Sequence, residues 1–309
     1  MSWYPESICR SIWLTRDCIR IIRPFVKTDF SYGPRFDRLT NMTTFGTFFS
    51  REEAELSQLF IEKGYLIRKV EDVDMLDAIQ LFVSDCAAKF LDIKAEEPIE
   101  FLNSVHKFLK VEQLNSLRLH VITKINSEPW FREGYFRLAR NLLETIVGNE
   151  LAMQAQISLS VQLPMDQSSL LPVHADVWSG DSPFEVVVWL PLVNCFGTKT
   201  MFLLPPEPTH NLHARFKEFE HKTSEDIYKS IESDLSWIRI NYGEVLIFNQ
   251  NLPHGNRVNE ESESRWSMNC RFKAVFSPYF DKKLGEFFRP ITLRAASRIG
   301  MAYRYPRVR

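Results

Sequence analysis

Two hydrophobic periods divide the chain. From Ser50 to Gly148 apolar residues recur every three to four positions, the spacing of one helix face. Ser50-Arg-Glu-Glu53 opens this stretch as a capping box, in which the serine oxygen and the glutamate carboxylate satisfy free amides of the first turn. Leu56, Leu59, Phe60 and Leu66 carry the apolar stripe. Residues 74–92 repeat the pattern from an Asp start, and Pro98 suits the first turn of the next helix. Residues 111–125 and 130–147 complete the helical set, with Gly148 as its stop. Beyond about residue 154 the period falls to two. Gln156–Leu163 alternates with one apolar face, and Phe184–Leu190 and Thr200–Leu204 are short β-rich runs. Ile238–Ile240, a turn over 241–244 and Val245–Asn249 predict a hairpin, and Arg265–Phe276 a longer strand. Residues 207–235 interrupt the strands as a charged insertion, helical in its C-terminal part. Short strands with turns between them predict a double-sheet, cupin-like jelly roll. The fold class is therefore α+β. A mainly helical N-terminal region over 1–150 packs on a β core over 151–280, and 281–309 form a C-terminal extension. Pro5, Pro24, Gly33 and Pro34 predict an irregular arm over 1–45 with one helix.

Composition narrows the setting. A chain of 309 residues fits one large domain, or one domain with a helical annexe. A net charge of -1 calls for no polyanionic partner, so nucleic acid is not expected. Five cysteines, an odd number without a C-x-x-C pair, suit reduced thiols in the cytoplasm. No run approaches the ~18 apolar residues of a membrane span. Charges at Glu6, Arg10, Arg16, Asp17 and Arg20 break up any signal peptide, and the amphipathic pattern of residues 8–25 suits packing on the protein's own core. The extension over 281–309 carries eight Lys/Arg against two acidic residues, a solvated basic face.

The chemistry concentrates in the β region. His174 and Asp176 are two apart, so in extended chain both side chains leave one face. His254 arrives from a distant segment after Pro253. Two imidazoles and one carboxylate can hold one face of Fe(II) and leave the other open, the facial triad of non-haem oxygenases. Arg265 and Ser267 share one face of the long strand with Asn269 and Arg271, while Trp266, Met268, Cys270 and Phe272 take the other. An arginine with hydroxyl donors suits the far carboxylate of 2-oxoglutarate. Singly, each histidine is a core or turn residue as readily as a ligand; together with Arg265 and Ser267 in a β context they form a candidate metal and co-substrate site. His106, His120, His210, His213 and His221 have no such partners and suit structural or solvated positions.

The segments HADVWSGDSPFEVVVWLPLV, GTKTMFLLPP, LPHGNRVN and RWSMNCRFK resemble Fe(II)/2-oxoglutarate-dependent dioxygenases of the phytanoyl-CoA hydroxylase-like group, and within it the oxygenases of bacterial surface-carbohydrate gene clusters. The resemblance covers roughly residues 154–280. It implies a double-stranded β-helix core, a catalytic and metal-binding triad at His174, Asp176 and His254, and a co-substrate anchor at Arg265. It also implies a threonine near the far carboxylate, at Thr200 or Thr198. The group's usual small-residue and P-G-S-H ending is replaced here by Leu204-Pro-Pro-Glu-Pro. Halogenating relatives lose the carboxylate ligand; Asp176 is kept, which favours hydroxylation, desaturation or ring formation. The implied activity is oxidation of a small-molecule or sugar-linked substrate, such as a nucleotide sugar, by molecular oxygen, in surface-carbohydrate or secondary-metabolite biosynthesis. Trp178, Gln162 and Arg271 are candidates for the substrate side. Arg271 equally suits the co-substrate site or an internal ion pair, and Trp189 suits the core. Three rivals stand beside this reading: another metal enzyme on a cupin barrel, whose further histidines and glutamate do not appear beside His174; a nucleic-acid demethylase of the same superfamily, echoed by the six-residue spacing of Arg265 and Arg271; and an inactive binding or scaffold protein on the same fold.

Overall fold

The computed structural model describes residues 48–95 and 97–306. The expected arm over 1–45, with Cys9 and Cys18, lies outside the described residues. Helix α1 (Arg51–Lys63) starts at the expected capping box, with both of its hydrogen bonds formed, and ends at Gly64 in the left-handed conformation. The chain then forms a strand, β1 (Tyr65–Lys69), where helical spacing was expected. Leu66, counted as part of a helix stripe, is its buried residue, and the strand pairs antiparallel with a later one. A free sheet edge thus overrides the local period. Helix α2 (Val73–Leu91) is capped by Asp72 rather than by an acid at position 74. Pro98 opens α3 (Pro98–Ser104), followed by α4 (Val111–Ser127). The expected single helix over 130–147 is broken into α5 (Phe131–Arg137) and α6 (Arg140–Ile146).

The strands β2 (Leu151–Gln154), β3 (Ser158–Gln162), β4 (Glu185–Pro191), β7 (Glu244–Asn249), β9 (Arg265–Ala274) and β10 (Phe288–Pro290) join β1 in a seven-stranded sheet. Its order is β1-β7-β4-β9-β2-β10, with β3 also paired to β9. A second sheet has three short strands, β6 (Ser236–Trp237), β5 (Phe202–Leu203) and β8 (His254–Gly255). Among the described residues, all pairs of these strands are antiparallel. The expected hairpin across residues 238–249 does not form. Ser236–Trp237 pairs with β5, whereas Glu244–Asn249 pairs with β1 and β4. The turn at 241–244, closed by Glu244 onto Asn241, carries the chain from one sheet to the other. The insertion is helical at both ends, as α7 (Pro206–Ala214) and α8 (Ser224–Ile231), where only its C-terminal part was expected to be. Its apolar residues Leu212, Phe219, Tyr228 and Ile231 cover Phe202 and Val173. The C-terminal extension is more than a solvated face: β10 closes the sheet edge on β2, and a last helix, α9 (Ala295–Ala302), follows.

The two faces of the large sheet differ in kind. Residues opposite one another in an antiparallel pair share a face. Trp266, Met268, Cys270 and Phe272, with Val186, Val188 and Leu190, therefore point to the helices, and all are buried. There Tyr135 donates its hydroxyl to the Val188 and Met268 carbonyls (2.9 and 3.3 Å) and Phe136 packs on Phe272. The inner face carries Arg265, Ser267, Asn269, Arg271 and Lys273 of β9, Ser160 and Gln162 of β3, and Glu185 and Trp189 of β4. A polar stripe this deep in a sheet demands partners. Among the described residues, no helix is long and apolar enough to cross a membrane.

Candidate metal centre and co-substrate site

The small sheet supplies the ligands. His174 extends it by an isolated bridge to His254, with backbone bonds of 3.0 and 2.8 Å in the two directions. Ala175 is extended, and Asp176 then opens a short 3-10 turn over Asp176–Ser179, its amide bonded to the Gln250 carbonyl (3.3 Å). This brings one ligand atom from each of His174, Asp176 and His254 within 4.8 Å of the others. The two imidazoles are oriented alike. Nδ1 of His174 lies 2.9 Å from the Pro172 carbonyl, and Nδ1 of His254 lies 2.9 Å from the Leu252 carbonyl. A carbonyl oxygen only accepts, so each Nδ1 carries the proton and each Nε2 keeps its lone pair free. Burial lowers His254 to about 4, so that ring is neutral over the ordinary pH range. Phe248 packs edge-on against it at 5.1 Å. Gly255 belongs to the same construction: a Cβ there would lie 2.7 Å from the Leu171 carbonyl oxygen and 2.9 Å from the Phe202 ring.

Asp176 is buried, which by itself would raise its pKa. The Arg271 guanidinium, then the two imidazoles, outweigh burial and hold the carboxyl well below the usual carboxylate range. Arg271 Nη2 is 2.9 Å from Asp176 Oδ2, while Oδ1 lies toward His174 Nε2 at 3.7 Å. Arg271 also lies 3.7 Å from Asp181 Oδ2, and Asp181 pairs in turn with Lys282 from the C-terminal extension. This pair of carboxylates offsets the two cations before any metal is counted.

Arg265 is in a different situation. It is 4% exposed, and burial lowers its pKa to about 10. Nη1 donates to the Thr200 carbonyl (2.8 Å) and Nη2 to Ser160 Oγ (2.9 Å), but among the described residues its Nε has no partner and no carboxylate bonds to it. Thr200 Oγ1, Ser267 Oγ and Gln162 Oε1 are likewise buried and unpartnered. Gln162 is directly opposite Arg265, and Ser267 opposite Ser160. A buried cation beside unsatisfied hydroxyls is an anion cradle, since leaving such groups empty is unfavourable by ~1–3 kcal/mol each. Thr198 is elsewhere, bonded to Glu261, and Lys199 is bonded to Asn103 and Glu263.

Of the other sequence candidates, Trp178 follows Asp176 in the 3-10 turn and packs on Phe216 and His213, with Nε1 3.4 Å from His213 Nε2. His213 therefore has a partner that the sequence did not suggest. Trp189 is buried in the core, opposite Asn269. Sequence reasoning missed Ser160, Asp181, Glu185 and Gln250. Glu185 had one signal: it is a lone acid at the head of an otherwise apolar strand, and it is 1% exposed.

The fold has a solved counterpart. EctD from S. alaskensis, solved with 2-oxoglutarate and 5-hydroxyectoine, matches over 75% of this chain and 78% of its own, at 15% identity and a TM-score of 0.50. The chain has the fold of EctD. HygX from Streptomyces hygroscopicus, with nickel and 2-oxoglutarate bound, matches 76% of this chain and 90% of its own at 13% identity and a TM-score of 0.45. ThoJ, a non-heme monooxygenase solved as a nickel complex, matches 72% and 79% at 14% identity and a TM-score of 0.47. No protein-family model and no curated sequence matches the chain.

Proposed function

We propose that this protein is an Fe(II)/2-oxoglutarate-dependent oxygenase of small molecules, built on a double-stranded β-helix. One observation carries the reading. Among the described residues Arg265 is a buried cation lacking a counter-ion, bonded to the Thr200 carbonyl and sharing its strand face with Ser267 and with Arg271, which pairs with Asp176 of the His174, Asp176 and His254 group. The donor set fits a borderline divalent metal, and the cradle fits the far carboxylate of a dicarboxylate. Nε2 of His174, Nε2 of His254 and Oδ1 of Asp176 would hold iron. Arg265, with Thr200 and Ser267, would hold 2-oxoglutarate. Together the two supply, when bound, the oxidation of a C–H bond by molecular oxygen with decarboxylation of 2-oxoglutarate. The chain's own work is orientation, charge balance and exclusion of water. Phe248 shields His254, and Arg271 keeps Asp176 ionised.

Trp178 and Gln162 belong to the substrate side in this reading. A sugar-linked substrate, in surface-carbohydrate or secondary-metabolite biosynthesis, is supported by the resemblance of the motif segments to the phytanoyl-CoA hydroxylase-like group. A cytoplasmic setting is part of the same proposal, supported by the free, buried thiols of Cys86, Cys195 and Cys270.

The test is succinate release from 2-oxoglutarate in air with Fe(II), for the wild type and for His174→Ala and Asp176→Ala. Iron-dependent release in the wild type, lost in both variants, is expected with at least one of a panel of glycosides and nucleotide sugars. No release with any of them, nor with alkylated oligonucleotides, sinks the reading. Release with oligonucleotides alone would move the substrate class to nucleic acid, and metal binding without turnover would mark a scaffold.

A further inference from the structure

The triad rests on a second row of buried groups that touch no metal. Gln250, directly after β7, is fully buried and bonds three ways. Its Nε2 donates to Glu185 Oε2 (3.0 Å) and to the Ser182 carbonyl (2.9 Å). Its Oε1 accepts from Arg271 Nε (3.1 Å). Arg271 Nη2 then reaches Asp176 Oδ2. The backbone carbonyl of Gln250 also accepts the Asp176 amide. One residue thus holds Asp176 by its main chain and, through Arg271, by its side chain.

The direction of the Gln250 amide is not arbitrary. Arginine only donates and the Ser182 carbonyl only accepts, which fixes Oε1 toward Arg271 and the NH2 toward Ser182 in either protonation state of Glu185. A flipped amide would set NH2 against the guanidinium and oxygen against oxygen at the other end. Glu185 is itself fixed, by the Ser182 amide (3.3 Å) and by Lys273, whose Nζ is 4.0 Å away and bonded to the Pro278 carbonyl. The consequence falls on Asp176. Oδ2 lies 2.9 Å from Arg271 as an ion pair without hydrogen-bond alignment, and Oδ1 lies 3.7 Å from His174 Nε2. A carboxylate that offered both oxygens would occupy a coordination position that co-substrate and oxygen need.

We infer that Glu185 and Gln250 are positioning residues that act through Arg271 to restrict Asp176 to one-oxygen coordination. The inference rests on the metal site proposed above. Residues behind metal ligands typically alter affinity ~10–100-fold.

The experiment titrates Co(II) anaerobically into the full-length apo protein and follows its visible d–d bands, for wild type, Gln250→Leu, Glu185→Gln and His174→Ala. Thermal unfolding of each apo protein is recorded alongside. Gln250→Leu and Glu185→Gln are expected to weaken Co(II) binding by ~10-fold or more and to change band position and intensity, because Asp176 can then offer its second oxygen. A merely structural role would lower the unfolding temperature and leave the bands where they are. Glu185→Gln is isosteric and decides the matter should Gln250→Leu not fold. Wild-type affinity and bands in the folded variants would overturn the inference and leave the metal site standing. Failure of the wild type itself to bind Co(II) would overturn both.

Discussion

Thr200 and Arg265 are close neighbours with opposite expectations for substitution. The Thr200 hydroxyl is buried and bonds to nothing among the described residues, so Thr200→Val, of nearly the same shape, should leave the apo protein as stable or raise its stability by ~1 kcal/mol. The same change removes a donor to a charged ligand, worth ~1.5 kcal/mol or ~10-fold in 2-oxoglutarate affinity. Arg265→Met should abolish 2-oxoglutarate binding altogether. Thermal shift with Co(II) present checks both. At about a hundred times its Kd, 2-oxoglutarate adds ~2.7 kcal/mol to the wild type. The shift should shrink in Thr200→Val and vanish in Arg265→Met; an undiminished shift in Arg265→Met removes the anion cradle. At this scale the sequence was informative, because a strand writes its two faces as odd and even positions. Arg265, Ser267, Asn269 and Arg271 could be read as one inward set, and the triad as its neighbour. What stayed hidden were partners such as Ser160 and Gln250, polar residues whose role depends on a register between distant strands.

At the level of elements, β4 and β9 place Glu185 opposite Lys273, both shut off from solvent. Burial is the largest influence on each, raising Glu185 to about 7 and lowering Lys273 to about 8. For the acid, the folded protein disfavours the charged form relative to the unfolded chain. Its contribution to stability is complete below about 4.5 and is lost as pH rises through about 7. His254, lowered to about 4, acts in the opposite sense over most of that window, so the contribution is read as a difference: in urea unfolding, the stability of Glu185→Gln minus that of the wild type should rise across the window by on the order of a few kcal/mol. An identical slope in the variant would mean that the carboxyl titrates normally. Elements were also where pattern reasoning failed most. Tyr65–Lys69 has too few residues to declare its period, and only pairing with β7 makes it a strand. Residues 238–249 carry every local mark of a hairpin, yet their two halves serve different sheets. Local chemistry selected the turn, and long-range pairing selected the partners.

Across the whole molecule, the proposed metal ligands come from the small sheet, its bridge to His174 and the turn that follows, whereas Arg265 comes from the large sheet. A molecule bound to both would tie the layers together. Hydrogen exchange should therefore slow most at β5, β8 and residues 171–176 when Co(II) and 2-oxoglutarate are added, because ligand binding suppresses the openings that separate the sheets. Helices α2 and α4, on the far face, should change little. Equal slowing everywhere would mean that the layers already open only together. The C-terminal segment joins this assembly late: β10 pairs with β2, the Asp281 amide bonds to the Gly180 carbonyl, and Lys282 neutralises Asp181 beside Arg271. During synthesis the histidines, both aspartates and every arginine of the centre thus leave the ribosome before the lysine that balances their charges. A premature stop after Phe280 would spare every proposed ligand and still leave an uncompensated carboxylate and an open strand edge, so the codons that follow Phe280 bear on the proposed centre as directly as those encoding its imidazoles.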